Sequence, residues 1–215
     1  MEGSETQFFT RMAPERNSGM RNLAKKLLPQ KSTQIEANIA LFGSRNVGKT
    51  TIAKTLGRSL YQDCDFKPEL VELYQAEMSG PASKQHHKLS IFDTTGSYRK
   101  DYPSMYRKTI ADCQAFILVF SLEDRSTLEE VKLVYNDILE VKQQERVPIL
   151  IVANEREEKR KSESDETRAQ NRSELRSELA ACPYCLYREY TPSVKTSSLD
   201  LYKSIQCLLT LIIDQ

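Results

Sequence analysis

The chain lacks the features that mark several large classes of protein. Its longest apolar runs cover 115–120, 149–153 and 208–213, and each falls far short of the roughly 20 residues that cross a bilayer. Its N-terminal segment holds neither a basic stretch nor an apolar one, so no secretory signal is predicted. The net charge is only +1, which argues against a nucleic-acid-binding domain. We therefore expect neither a secreted nor an integral-membrane protein, and no nucleic-acid partner.

The cysteines indicate a reducing compartment. There are five of them, an odd number without a secretory signal, and this is typical of free thiols in the cytosol. Cys182 and Cys185 form a C-x-x-C pair, but a zinc site would need two more ligands. The two histidines, His86 and His87, are distant in sequence from this cysteine pair and are predicted to be solvated turn residues. We therefore predict a cytoplasmic location and interpret the cysteine pair as a structural turn.

Composition divides the chain into a tail and one domain. Residues 1–34 carry six basic and three acidic side chains and few large apolar ones, so we predict a mostly disordered, basic-leaning tail. Within it, 20–28 has the pattern of a short amphipathic contact with either a membrane or a partner. Residues 35–215 are predicted to form one domain with a charged loop and helix inserted near 155–178, since 13 of the 20 residues at 155–174 are charged.

Short apolar runs typical of strands alternate with segments in which apolar residues recur at helical spacing across that domain. Ser126, with Glu129 three residues later, is the predicted N-cap of the second helix. Alternation of this kind indicates an α/β fold with a mostly parallel sheet and helices on both faces. Strands are predicted at 36–42, 68–78, 87–93, 115–120, 147–153 and 185–190, and helices at 48–60, 126–143, 167–181 and around Leu201, Ile205, Leu208 and Ile212.

The strongest motif is GSRNVGKT at 43–50, a complete G-x-x-x-x-G-K-[ST] match between a predicted strand and a predicted helix. Gly43 and Gly48 allow the backbone to approach an anion closely, and successive N–H groups at the start of a helix favour negative charge. Lys49 is placed to neutralise phosphate oxygens, and the Thr50 hydroxyl to bind Mg²⁺. The candidate phosphate-binding residues are Gly43, Ser44, Arg45, Asn46, Val47, Gly48, Lys49, Thr50 and Thr51.

A second motif, DTTG at 93–96, follows the end of another predicted strand. Asp93 is the candidate for a second metal residue, which would act directly or through water. Gly96 offers an N–H that reaches a terminal phosphate in one conformation only. Together the two motifs predict a polyphosphate site with Mg²⁺ held by Thr50 and Asp93.

These motifs, with NERE at 154–157 and SVK at 193–195, resemble those of the Ras-like small GTPases over nearly all of 36–213. The resemblance implies a P-loop small G domain, in which a six-stranded, mostly parallel sheet is flanked by helices. It also implies binding of GTP or GDP with Mg²⁺, and two loops that change conformation with the γ-phosphate.

The guanine-reading residues depart from the family pattern Asn-Lys-x-Asp. Asn154 is retained, whereas Glu155 replaces the lysine and Glu157 replaces the aspartate. Glu157 is one methylene longer than the aspartate it replaces. Either the affinity for guanine is therefore lowered by roughly 10- to 100-fold, or the carboxylate still reaches the base. Ser193, Val194 and Lys195 match the last base-contacting motif.

The residues that sense and hydrolyse the γ-phosphate depart further. The resemblance places Glu69 where relatives carry a threonine, and residues 60–78 contain no Ser or Thr. Ser97 stands where a glutamine orients the attacking water, and its side chain is too short to reach the same place. Arg45 replaces a small residue, and it either supplies charge in cis or blocks an activating protein's arginine. We therefore expect slow or absent GTP hydrolysis, and similar affinities for GDP and GTP.

The predicted function is a Ras-like GTP- and GDP-binding signalling protein whose effector or regulatory proteins contact 61–70 and 96–109. The alternative is a non-catalytic pseudoGTPase that serves as a protein-interaction module, and a P-loop kinase or ATPase is a third possibility. No catalytic residue is assigned with certainty, and Ser97 and Arg45 are the candidates. The sequence shows neither a prenylation box nor a myristoylation signal, so we expect no lipid anchor. We also expect a monomer.

Overall fold

The computed structural model describes residues 36–59, 71–79, 86–143, 146–155, 185–191 and 195–213, and the single positions 169, 170, 173 and 177. Seven strands and five helices lie within the continuous ranges. In chain order they are β1 (Glu36–Phe42), α1 (Lys49–Leu56), β2 (Arg58–Ser59), β3 (Val71–Ser79), β4 (His86–Thr94), α2 (Tyr98–Asp101), α3 (Pro103–Asp112), β5 (Ala115–Ser121), α4 (Arg125–Lys142), β6 (Ile149–Asn154), β7 (Cys185–Tyr190) and α5 (Lys195–Ile213).

The strands form one sheet in the order β2-β3-β4-β1-β5-β6-β7. Strands β4, β1, β5, β6 and β7 are mutually parallel, whereas β3 runs antiparallel to β4 and β2 antiparallel to β3. The predicted six-stranded, mostly parallel sheet is confirmed, and the two-residue β2 adds a short edge strand.

Helices cover both faces of the sheet, as the sequence predicts. Every residue of β5 and β6 is buried, which is expected for parallel strands between two layers of helices. On one face α1 and α5 pack through residues such as Ile52 and Ile205, and on the other α3 and α4 pack through Ile110, Val131 and Ile138. Burial of each such side chain contributes about 1.5–3 kcal/mol, so the sheet is a rigid support for the loops at its edges.

The first helix is shorter than the periodicity predicts. The predicted helix covers 48–60, but α1 ends at Leu56 because Gly57 adopts an extended conformation, with φ of −151°. The Gly57 N–H still donates to the Ala53 carbonyl at 2.9 Å and closes the last turn. The chain then enters β2 directly.

Two predictions about individual side chains are wrong. Ser126 is not the N-cap of α4, because the Asp124 carboxylate accepts from the Ser126 N–H at 3.0 Å and the helix begins at Arg125. His87 is not a solvated turn residue, because β4 already begins at His86 and His87 is only 2% exposed. In both cases the element begins earlier than its apolar pattern indicates.

Some predicted segments lie outside the described residues. These are the tail at 1–34 with its segment 20–28, and the loop at 61–70. Of the predicted helix at 167–181, positions 169, 170, 173 and 177 are described, and all four are helical and exposed. Because β1, β4 and β6 belong to one parallel set, their carboxyl ends lie at the same edge of the sheet, where ligands of α/β folds bind.

Candidate functional site

The phosphate loop joins the end of β1 to the start of α1 at the carboxyl edge of the sheet. Its turn uses left-handed backbone at Asn46, with φ of 61°, and at Gly48, with φ of 96°. A Cβ atom on Gly48 would lie 2.3 Å from Nδ2 of Asn154, so glycine is required there for both conformation and space. Gly48 gives α1 no side-chain cap, and the first helical N–H groups remain available to an anion.

Lys49 is the buried cation of this loop, with only 6% of its surface exposed. Its Nζ donates to the carbonyl oxygens of Gly43 at 2.9 Å and Ser44 at 2.8 Å. Burial lowers the Lys49 pKa to about 8, and the negative charge of Asp93 opposes that shift in part. A phosphate that entered the loop would add charge where Lys49 is poorly solvated, so the ammonium form would be favoured.

Thr50 and Asp93, the predicted metal residues, lie in contact. The Thr50 hydroxyl donates to Asp93 Oδ2 at 2.5 Å. Burial raises the Asp93 pKa, while the Thr50 hydrogen bond and the Lys49 charge act in the opposite direction. Asp93 Oδ1 is buried and has no hydrogen-bond partner among the described residues. A hydroxyl beside a carboxylate with one free oxygen is a donor set that suits Mg²⁺, so the residues present fit this ion.

Gly96 and Ser97 lie directly against the phosphate loop. A Cβ atom on Gly96 would be 2.2 Å from the backbone nitrogen of Arg45, so the two loops touch at the level of the main chain. The Arg45 guanidinium donates through Nη2 to Ser97 Oγ at 3.1 Å. The structure therefore brings together Arg45 and Ser97, the two residues that the sequence singles out for hydrolysis.

These loops enclose a cavity of about 790 Å³, which is within the usual size range of small-ligand sites. Most of the predicted phosphate- and base-binding residues are on its wall or bonded to residues that are. Thr94, Thr95, Asp101 and Tyr102 were not predicted. The lining residues are Arg45, Asn46, Gly48, Lys49, Thr50, Thr51, Thr94, Thr95, Gly96, Ser97, Asp101, Tyr102 and Asn154.

Asn154, the last residue of β6, also lines the cavity. Its Nδ2 donates to the Val47 carbonyl at 2.8 Å, which ties the predicted base-reading residue to the phosphate loop. Its Oδ1 is buried without a partner among the described residues, so one acceptor remains for a ligand. Glu155 is 8% exposed, and its carboxylate accepts from the Thr191 hydroxyl at 3.5 Å.

The remaining predicted base-reading residues are not tested. Glu157, Ser193 and Val194 lie outside the described residues, as does Glu69 in the predicted first switch loop. Lys195 begins α5, but its side chain is outside the description. Their roles stay predictions.

The segment after Ser97 is held by a carboxylate on α4. Arg99 Nε donates to Asp137 Oδ2 at 2.6 Å, and the Tyr106 hydroxyl donates to the same oxygen at 3.0 Å. The Asp137 hydrogen bond raises the pKa of Arg99, and burial, followed by the Asp137 charge, raises that of Tyr106. No motif predicts this cluster, because its members are 31 and 38 residues apart in the chain.

The described residues contain no group of three or more His, Cys, Asp or Glu side chains suited to a metal ion, and Cys182 of the C-x-x-C pair lies outside them. Within the same ranges, no helix has the length and apolar character needed to span a bilayer.

Comparison with known proteins identifies relatives. Residues 38–185 match the family model described as Ras family. The chain is similar to GTP-binding protein Di-Ras2 of Macaca fascicularis, with 33% identity over 61% of this chain and 63% of the relative. It is also similar to GTP-binding protein Di-Ras1 of Homo sapiens, with 31% identity over the same shares. GTP-binding protein drn-1 of Caenorhabditis elegans is 30% identical over 58% of this chain and 56% of its own length.

The chain therefore spans less than two thirds of the length of these relatives. The family match nevertheless covers well over half of the chain and includes the phosphate loop, Asp93 and Asn154. The chain belongs to the Ras family.

Proposed function

We propose that this chain binds GTP and GDP together with Mg²⁺ and acts as a signalling protein with slow or absent GTP hydrolysis. The observation that carries the proposal is the cavity in which Lys49, the Thr50–Asp93 pair and Asn154 converge. Its relatives are named GTP-binding proteins, which supports guanine as the base.

Each part of the cavity suits one part of a nucleotide. Lys49 and the N–H groups at the start of α1 would hold the phosphates. Thr50 and Asp93 would hold Mg²⁺, which when bound neutralises charge on the phosphate oxygens. Asn154 would present its free Oδ1 to the base while its Nδ2 stays on the Val47 carbonyl. The phosphate loop therefore positions the residue that reads the base.

Glu155 shapes the base end of the site. Where the family pattern has a lysine, this chain has a buried carboxylate that accepts from the Thr191 hydroxyl. A carboxylate cannot donate to the nucleotide, so the contribution of that lysine is lost. We propose guanine binding weaker than that of relatives with the complete motif, and Glu157, Ser193, Val194 and Lys195 remain the predicted further contacts.

Slow hydrolysis is proposed from Ser97 and Arg45. The Ser97 side chain is too short to reach the place from which a glutamine would orient the attacking water, and its oxygen accepts from the Arg45 guanidinium. The Arg45 side chain spans from the phosphate loop to Gly96 and Ser97. It occupies the side from which an activating protein's arginine would approach, so we propose that it blocks that approach.

Single-turnover hydrolysis of GTP by the full chain tests this proposal. We expect a rate well below the roughly 3–5 × 10⁻⁴ s⁻¹ of intrinsic Ras hydrolysis. Ser97→Gln alone should change little, because Arg45 still contacts this position. The double variant Arg45→Gly with Ser97→Gln should raise the rate at least about tenfold, a modest share of the roughly 100-fold or more that a well-positioned acid or base supplies. Wild-type hydrolysis at or above the Ras rate would refute the proposal.

We also propose that partner proteins contact 96–109. Tyr102 and Met105 are 38% and 47% exposed, and Arg107 and Lys108 beside them are exposed cations. Exposed aromatic and Met side chains beside basic ones are typical of protein-binding surfaces. The second predicted contact, 61–70, lies outside the described residues and remains a prediction.

A non-catalytic interaction module is the second candidate, and the Arg45–Ser97 hydrogen bond favours it because it engages both residues that the sequence singles out for hydrolysis. Chromatography of the nucleotide released from freshly purified protein separates the two candidates. Bound GTP or GDP supports the first, and protein that neither carries nor takes up a purine nucleotide supports the second. Bound ATP would favour an ATP-dependent P-loop protein instead.

A further inference from the structure

Three buried side-chain oxygens around the cavity have no hydrogen-bond partner among the described residues. They are Asp93 Oδ1, Thr95 Oγ1 and Asn154 Oδ1. Buried polar atoms in native proteins are nearly always hydrogen-bonded, and an unsatisfied one costs free energy. Thr95 and Asn154 line the cavity, and Asp93 is bonded to Thr50 on its wall. A polar ligand in the cavity would supply the partners that these oxygens lack once their side chains turn toward it.

Two of the three oxygens are explained by the proposed nucleotide. Asp93 is bonded to Thr50 at the predicted metal position, and Asn154 lies at the predicted base end, against Val47. Thr95 is neither a predicted metal residue nor a predicted base-reading residue. Its hydroxyl is the group that the proposed function leaves without a role.

Thr95 lines the same cavity as Asn154. It follows Thr94, whose hydroxyl donates to the Leu41 carbonyl at 2.6 Å, and it precedes Gly96, which lies against Arg45. The Thr95 carbonyl accepts from the Tyr98 N–H at 3.1 Å, so its main chain is fixed in a turn. The side chain alone is left to adjust, and one rotation about χ1 exchanges the positions of its hydroxyl and methyl groups.

We infer that the Thr95 hydroxyl is a specificity-determining group that donates to the terminal phosphate of a bound nucleoside triphosphate. The inference rests on the proposed nucleotide site. Residues 60–78 contain no Ser or Thr, so the first switch loop supplies no aliphatic hydroxyl for this purpose, whereas Thr95 lines the cavity and carries one. GTP is then preferred to GDP, in contrast to the equal affinities expected from the sequence alone.

The test compares Thr95→Val with Thr95→Ser by calorimetric titration of the full chain with GDP and with a non-hydrolysable GTP analogue. Valine has the shape of threonine without the hydroxyl. Thr95→Val should bind the GTP analogue about tenfold more weakly, as expected for the loss of a hydrogen bond to a charged group, and GDP within about twofold of wild type. Thr95→Ser should retain the wild-type preference.

Thr55→Val serves as the matched control, because the Thr55 hydroxyl is bonded to the Thr51 carbonyl and the Tyr190 hydroxyl and is not on the cavity wall. It should leave the ratio of the two affinities unchanged. A thermal melt without nucleotide gives a second readout, in which Thr95→Val should be at least as stable as wild type because it removes a buried unsatisfied hydroxyl.

The outcomes separate this inference from the proposed function. If wild type binds both nucleotides and Thr95→Val weakens both equally or neither, the role of Thr95 is refuted and the nucleotide site stands. A less stable Thr95→Val with unchanged affinity ratio would likewise indicate a structural hydroxyl. If wild type binds neither nucleotide, the proposed function itself fails.

Discussion

The two walls of the cavity are built in different ways. The phosphate-loop wall, residues 43–51, is held mainly from inside, because Lys49 bonds to carbonyl oxygens of its own loop, and Asn154 adds one contact from outside through the Val47 carbonyl. The Ser97 wall, residues 96–102, is held from outside, because Arg99 bonds to Asp137 on α4. The first wall is thus a rigid binding device encoded by a local motif. The position of the second depends on a carboxylate that never touches the cavity.

Lys49→Met is the substitution expected to impair nucleotide binding by the phosphate-loop wall most. The substitution removes the cation for the phosphates and leaves the Gly43 and Ser44 carbonyls without their donor. Both losses act on the same site, and we expect GDP affinity to fall at least about 100-fold, or about 2.7 kcal/mol. Calorimetric titration of GDP in the presence of Mg²⁺ measures the effect.

Lys54→Met is the control for that change, because Lys54 is an exposed residue of the same helix. Its GDP affinity should stay within about twofold of wild type, since an exposed charge is well screened. A loss of less than about fivefold in Lys49→Met would contradict the assignment of this wall to the phosphates.

Asp137→Ala should release the Ser97 wall and leave the phosphate loop intact. The buried Tyr106 hydroxyl and the Arg99 guanidinium both lose their acceptor. An unsatisfied buried group costs about 1–3 kcal/mol, so Tm should fall by several degrees in a chain of this size. Hydrogen exchange should speed up in residues 98–112 and stay unchanged in 43–51.

Asn136→Ala, an exposed neighbour on the same helix, controls for a general loss of helix stability. Faster exchange in both walls after Asp137→Ala would show that the two walls are coupled, and the comparison between them would fail. An unchanged exchange pattern in 98–112 would show that Asp137 does not anchor this segment.

The sequence predicts the phosphate-loop wall well and the Ser97 wall poorly, for a physical reason. Lys49 bonds to carbonyls of its own loop, and Gly48 and Thr50 lie at fixed offsets from it, so a fixed spacing suffices to recognise the loop. The contacts of Thr50 with Asp93 and of Gly48 with Asn154 come from separate motifs. Strands such as β5 and β6 are predicted equally well from the sequence, because burial on both faces demands a continuous apolar run.

Contacts between distant residues leave no such pattern. The Arg99–Asp137 pair depends on how α2 packs beside α4, and the cavity contacts of Asp101 and Tyr102 depend on a four-residue helix. Element starts are also missed where a side chain outside the apolar pattern decides them, as Asp124 does for α4. Whether the Thr95 hydroxyl finds a hydrogen-bond partner depends on all the residues packed around it in the fold. The DTTG motif that contains Thr95 therefore does not predict that it lacks one.

Glu140→Ala sharpens the comparison by testing whether an exposed ion pair to α4 holds the Ser97 wall as firmly as the Asp137 cluster does. Arg107 Nη2 donates to Glu140 Oε1 at 2.8 Å, nearly the distance of the Arg99–Asp137 bond, but the two side chains are 57% and 65% exposed. Exposed pairs gain little, because water and salt screen them and both side chains lose entropy. We expect Tm to change by no more than about 1 °C, and exchange in 98–112 to match wild type. If Glu140→Ala loosens this segment as much as Asp137→Ala does, the number of ion pairs rather than the burial of the Asp137 cluster holds the Ser97 wall.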